Sequence, residues 1–230
     1  MAKFTSGPLA GQVSGSIGNT VFSYNRYGPY LRVRSKPVQP NTLFQQQARS
    51  RLATASQAWA ALDSGKRDLW TAWAAQHPIV DRLGTSQTLA GNASYVSINA
   101  LRALCGDAAL DTPPLTPAPS GLLTCTLTAD IGAGSFQIAY TATPLAAGCK
   151  IFLQAALLYG AGKSYFKNAL RFCGLSAAAQ ASPLDVETLI SDRLGTLVVG
   201  QTCIVYASVY DSASGLLSQP LSAAELVSTT

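Results

Sequence analysis

Few side chains in this sequence could carry covalent chemistry, and they are scattered. His77 is the only histidine and stands directly before Pro78, so any Ser-His-Asp or Cys-His arrangement would have to use it. Its place at the end of a helical pattern favours a plainer role, because histidine there caps carbonyls and complements the helix dipole. Glu187 and Glu225 are the only glutamates, and Asp185-Val186-Glu187 reads as a loop-like segment. A glycosidase pair needs two carboxyl groups roughly 5–10 Å apart across a cleft, and nothing in the sequence supplies one. Cys105, Cys125, Cys149, Cys173 and Cys203 stand twenty or more residues apart with no Cys-x-x-Cys, which argues against structural zinc. Their odd number and apolar surroundings predict reduced thiols acting as small core hydrophobes, although spacing leaves later pairing open. No phosphate loop, dinucleotide fingerprint or zinc-protease motif occurs. The expectation is a protein with no catalytic residues, no metal site and no cofactor.

Binding chemistry, by contrast, is concentrated at one end. Lys3, Arg26, Arg32, Arg34, Lys36, Arg49 and Arg51 all precede the first acidic residue, Asp63. The rest of the chain carries all eleven acids, so the net charge of +5 arises from this end. Within it Tyr24, Arg26, Tyr27, Tyr30, Arg32, Arg34 and Lys36 interleave rings and cations. Arginines forked to the carboxylates of a protein neighbour, with tyrosines anchoring the contact, are one reading. Nucleic-acid contact with the tyrosines as stacking surfaces is a second, and a solvated strand edge whose charges block aggregation is a third. Seven cations spread over this end are modest for a nucleic-acid binder, so a protein partner is preferred. A self-repelling stretch that cannot bury much apolar surface alone needs such a partner to order it.

The elements that must position these residues follow from pattern. Residues 1–19 are glycine-rich and without period. Thr20–Tyr24 and Tyr30–Arg34 read as two short strands around the turn Asn25–Gly28, a hairpin with Tyr30, Arg32 and Arg34 on one face and Leu31 and Val33 on the other. An isolated hairpin is marginal in water, so residues 1–40 are expected to form a basic extended arm that lies on something else. Asn41-Thr42 with Gln45 forms a capping box, and Phe44, Ala48, Leu52, Ala55, Trp59 and Leu62 then trace one helical stripe. Asp63-Ser64 cap a second helix with Leu69, Trp70 and Trp73 inward, ending at His77-Pro78. A third runs from about Asn92 to Leu104 and stops at Gly106. Phe44, Leu52, Trp59, Trp70 and Trp73 are thus the expected core of a helical unit over residues 41–110, since aromatics dominate small cores by area.

Residues 111–121 hold four prolines, Pro113, Pro114, Pro117 and Pro119, and read as a semi-rigid linker and domain boundary. Beyond it Leu123/Cys125/Leu127, Phe136/Ile138/Tyr140, Ile151/Leu153/Ala155 and Cys203/Val205/Ala207/Val209 alternate with polar or small residues. Residues 122–230 are therefore expected to form a β-sandwich of the immunoglobulin or fibronectin III kind. The fold class predicted is α+β: basic extended arm with β-hairpin, a small helical hairpin or three-helix unit, linker, sandwich. Charged residues make up only 12% of the chain against about 25% in soluble domains; the neutral, small-residue surface suits burial against neighbours. No apolar run reaches the ~18 residues that span a bilayer, and the start lacks an apolar signal stretch, so a soluble product made in the cytoplasm and without membrane contact is expected.

At the arm and helices the sequence also resembles a known pattern. Gly15-Ser-Ile-Gly-Asn19, Val21-Phe-Ser-Tyr-Asn-Arg-Tyr-Gly28, Tyr30-Leu-Arg32, Pro40-Asn-Thr42, Gln46-Gln47 and Arg51 resemble uncharacterised virion-associated proteins of tailed bacteriophages and prophages, as do Trp59, Leu62, Arg67, Trp70, Ala74, Gly84, Leu89-Ala-Gly91 and Asn99. The likeness covers roughly residues 11–106 and brings no catalytic residue with it. It implies a non-enzymatic structural protein located in the virion, with the major capsid or other virion proteins as partners and a homo-oligomer within the particle. A capsid decoration or cement protein docking through its basic arm is the preferred role. A neck, tail or fibre-base component is the alternative, and a host-surface or carbohydrate-binding module is the alternative of another class.

Overall fold

The computed structural model describes residues 2–3, 14–25, 28–36, 38–80, 86–159 and 166–229. The architecture is α+β, with helices alongside antiparallel sheets. The chain forms two compact units, Met1–Gln46 and Gln47–Thr230.

The first unit is a four-stranded antiparallel sheet of β1 (Ala2–Lys3), β2 (Gly15–Ile17), β3 (Thr20–Asn25) and β4 (Gly28–Val33), in the order β1-β4-β3-β2. The β3–β4 hairpin is the one expected, paired from Thr20 opposite Val33 to Asn25 opposite Gly28. The other two strands come from the stretch that showed no period. β2 is three residues long, too short to display alternation. It is folded back by the two-residue turn Gly18-Asn19, with Gly18 at φ 57°, a conformation that glycine adopts without steric penalty. No described side chain of this unit is buried.

In the second unit the helices form as the caps dictate. The helix α1 (Leu43–Ala61) contains the division point between the units, and at its start Gln45 Oε1 accepts from the Thr42 N–H at 3.3 Å. For α2 (Ser64–Gln76), Asp63 accepts from the Gly65 N–H at 3.0 Å. A small β-ladder follows, β5 (Ile79–Val80) with β6 (Ser86–Gln87). Next, α3 (Gly91–Cys105) ends on Gly106 at φ 82°, the left-handed stop that glycine allows. Trp70, Tyr95 and Ile98 are buried together, with Trp59, Leu62 and Trp73 packed on them. Trp70 makes edge contacts with Tyr95 and Trp73 at 5.3 and 5.9 Å between centroids.

Three residues expected to face inward are not in it: Phe44 is 53% exposed, Leu52 50% and Leu69 52%. The first buried residue of α1 is Ala55, and within the second unit the helix packing is chiefly that of α2 on α3. A helical stripe records which residues share a side; it does not say how far along the helix a neighbour reaches.

The β region has a three-stranded sheet, β11 (Leu184–Asp185), β8 (Ser135–Thr141) and β7 (Thr124–Asp130), in that order. A four-stranded sheet has the order β10 (Arg171–Leu175), β9 (Cys149–Leu158), β12 (Thr202–Asp211), β13 (Leu221–Leu226). Both are antiparallel and share one core, in which Phe136, Ile138, Ile151, Leu153, Val205 and Ala207 meet. Leu123, read as the first inward residue, lies before β7 and is exposed. Asp185-Val186-Glu187, read as loop, ends β11 and opens a further helix, α4 (Glu187–Leu194). Asp185 Oδ1 accepts from the Glu187 N–H at 3.0 Å and stabilises that start.

The central strands β9 and β12 are buried on nearly every residue instead of on alternate ones. Their second face is covered where Cys105 of α3 packs with Phe152 and Tyr210, flanked by Leu101 and Leu104. Polar bonds tie the same joint: buried Arg102 donates to the carbonyls of Ala108 (2.6 Å) and Ser212 (2.7 Å). The Tyr210 hydroxyl donates to Asp107 at 2.6 Å. Residues 111–121 therefore lie inside the second unit. Trp70 Nε1 donates to the Asp111 carbonyl at 2.9 Å, and Asn99 bonds both backbone groups of Leu110 at 2.7 and 3.1 Å.

Candidate partner-binding face

Register decides which of the interleaved rings and cations stand together. Residues directly opposite in an antiparallel pair share a face. Thr20, Phe22 and Tyr24 oppose Val33, Leu31 and Pro29, and Ile17 opposes Thr20. This face is apolar, and on it Ile17 is 71% and Val33 79% exposed. Val21 and Ser23 oppose Arg32 and Tyr30, and Ser16 opposes Val21, so the other face is polar and basic. Tyr24 is thereby parted from Tyr30 and Arg32, with which the sequence grouped it. Arg26 and Tyr27 lie outside the described residues. Lys36 is exposed beyond the end of β4.

On the basic face Arg32 and Arg34 line a cleft of about 350 Å³ with Gly15, Ser16, Val21 and Ser35. The Arg34 N–H donates to the Asn19 carbonyl at 2.7 Å, which fixes the backbone just past β4 beside the β2–β3 turn. Among the described residues neither guanidinium has a carboxylate partner. Two like charges about 7 Å apart repel by roughly 0.6 kcal/mol in bulk water, a small penalty that an arriving anion turns into attraction. Ser16 and Ser35 were missed by sequence reasoning. The signal that finds Ser16 is the short turn Gly18-Asn19, which brings it across from Val21.

The residues weighed for catalysis are dispersed. His77 Nδ1 donates to the Trp73 carbonyl at 2.8 Å, and its ring stacks on Trp73 at 4.1 Å. Both contacts are with its own helix, as expected of a capping histidine. Glu187 lies in the first turn of α4, whereas Glu225 is exposed on β13. All five cysteines are free thiols. Burial pushes the thiol of Cys105 up to about 11 and that of Cys203 up to about 12, so both stay protonated, and poorly nucleophilic, near neutral pH. Among the described residues no three of His, Cys, Asp and Glu gather to hold a metal ion.

A second cavity, of about 420 Å³, opens in the β region beside Leu122, Pro144, Leu145, Val209 and Asp211. Asp211 is committed to the turn that follows it: its carboxylate accepts from the Ser214 hydroxyl (2.7 Å) and from the N–H groups of Ala213 (3.0 Å) and Ser214 (3.1 Å). Burial by itself would raise its pKa; these hydrogen bonds and the charge of Arg102 outweigh that and hold it below the ordinary carboxylate value. No helix among the described residues is long and apolar enough to cross a membrane.

No protein-family model matches this chain, and no curated protein matches it.

Proposed function

We propose that this protein is a non-enzymatic structural component of a tailed-bacteriophage virion, a capsid decoration or cement protein that docks through its first unit. The observation that carries the reading is a four-stranded sheet in which no described side chain is buried, in a stretch where cations precede any acid. A sheet gains its stability by burying at least one face. Among the described residues both the apolar and the basic face are half-buried or exposed, with none fully buried, as expected of an element completed by a neighbouring subunit. Ordering against such a neighbour consumes several kcal/mol of the contact energy, so affinity is spread over many residues of this unit.

The strand orders β11-β8-β7 and β10-β9-β12-β13 support a fibronectin III-like sandwich for the β region, since that fold divides seven strands in this way. Modules of this kind recur on many unrelated surface proteins, so their presence fits a decorating role without specifying it.

The test is deletion of residues 1–36 in a particle-forming host. The truncated protein should remain folded and soluble but be absent from purified particles; normal incorporation refutes docking through this unit. Mass spectrometry of intact particles separates shell from neck or tail. Hundreds of copies place the protein on the shell, whereas about 6 to 12 place it in a closed ring near the portal.

A further inference from the structure

We propose that the cleft on the basic face of the first unit is a carboxylate site, which takes two acidic side chains spaced two residues apart on an extended segment of a partner protein. This rests on the docking role above and adds to it the chemistry of the contact. Arg32 and Arg34 are alternate residues that line one cleft. Arg32 lies in β4 and Arg34 just past its end, and alternate residues of extended backbone stand about 6.5–7 Å apart. An extended ligand with acids at alternate positions presents its carboxylates at the same pitch, so each can meet one guanidinium through two parallel N–H···O bonds.

The surroundings suit such a ligand. Ser16, Val21 and Arg32 form one row across three strands, which sets a hydroxyl donor on the far side of the cleft from the guanidinium, and Ser35 adds another. Phosphate would satisfy the same donors, but proteins that grip a nucleic-acid backbone typically make about 6–10 phosphate contacts. Two arginines line this cleft. Tyr24 lies on the opposite face from Tyr30, so these rings do not form one stacking track, and the apolar face would gain nothing from nucleic acid.

The test uses the full-length protein and three labelled probes in fluorescence anisotropy. They are a peptide alternating Glu and Thr, a peptide of the same composition with the acids paired as Glu-Glu-Thr-Thr, and a single-stranded oligodeoxynucleotide of equal charge. The alternating peptide should bind tightest of the three. Arg32→Gln/Arg34→Gln should weaken it on the order of tenfold, the combined effect of two exposed but paired contacts. Arg32→Lys/Arg34→Lys keeps the charge without the fork and should fall between; it supplies the same comparison if the glutamine pair disturbs the sheet. Equal affinity for the two peptides, full affinity in both double variants, or tighter binding of the oligonucleotide each overturns the proposal. Particle incorporation separates the two levels. If the double variants join particles and the 1–36 deletion does not, the cleft assignment falls and docking stands; if the deletion joins as well, docking itself falls.

Discussion

Replacing Trp70 with alanine removes the side chain on which the helical core converges. Trp70 is 0% exposed, makes edge contacts with Tyr95 and Trp73, and donates its indole N–H to the Asp111 carbonyl. Burying an aromatic of this size and losing it to a cavity costs about 3–5 kcal/mol. The hydrogen bond is worth about 1 kcal/mol net. Asp111 is exposed, so water can replace the lost donor, and the total should stay near 4 kcal/mol. For a unit of this size that corresponds to a fall of about 8–16 °C in Tm. Trp70→Phe keeps most of the apolar volume and loses the donor, so about 1–2 kcal/mol is expected. Circular-dichroism melting and urea titration with unchanged m-value measure both. A Trp70→Ala protein melting within about 2 °C of the parent, or no better separated from it than Trp70→Phe, would refute the convergence of helical core and proline-rich segment on this one ring.

Three further outcomes follow from named contacts. Gly91→Ala would place a Cβ 2.6 Å from Thr71 Oγ1 and 2.9 Å from its backbone nitrogen; overpacking of about 1–3 kcal/mol outweighs the helix-propensity gain of up to about 1 kcal/mol, so urea titration should show a net loss. Arg102→Met should destabilise by about 2–4 kcal/mol, because it leaves the carbonyls of Ala108 and Ser212 without their charged donor. Arg102→Lys should recover only part, since an ammonium lacks the fork. The protonated forms of Cys105 and Cys203 are favoured by burial, up to about 11 and about 12 against an ordinary 9.0. The unfolded chain releases these protons first, so stability is full below about pH 9 and falls from there toward about 11–12; a Tm that stays flat up to pH 10.5 would contradict the burial.

Much of the α+β character was legible in local pattern. Thr20–Asn25 and Gly28–Val33 alternate around turn residues, Asp63 precedes an aromatic helical stripe, and Gly106 ends one. Inward positions such as Phe136, Ile138, Leu153 and Val205 showed as period two and do line the shared core. For the candidate site, the charge asymmetry before Asp63 and the shared face of Tyr30, Arg32 and Arg34 could be read directly. These features depend on residues within a few positions of one another, where backbone sterics and side-chain periodicity act.

What the tertiary structure decided lies in longer-range pairings. The turn at Gly18-Asn19 added Ser16 to the arginine cleft, and the β3–β4 register turned Tyr24 away from it. Phe44, Leu52 and Leu69 are exposed although each lies on a helical stripe, because periodicity does not say which stretch of a helix meets a neighbour. The polar stops in β9 and β12 were too few to mark an open face, and α3 covers part of it with Cys105 against Phe152 and Tyr210. Proline density at 111–121 suggested a stiff linker by composition, whereas the bonds from Trp70 and Asn99 hold its start to the helices. A sequence specifies the preferences of each element, while burial depends on which surfaces meet, and that is settled only when segments a hundred residues apart, such as Arg102 and Ser212, come into contact.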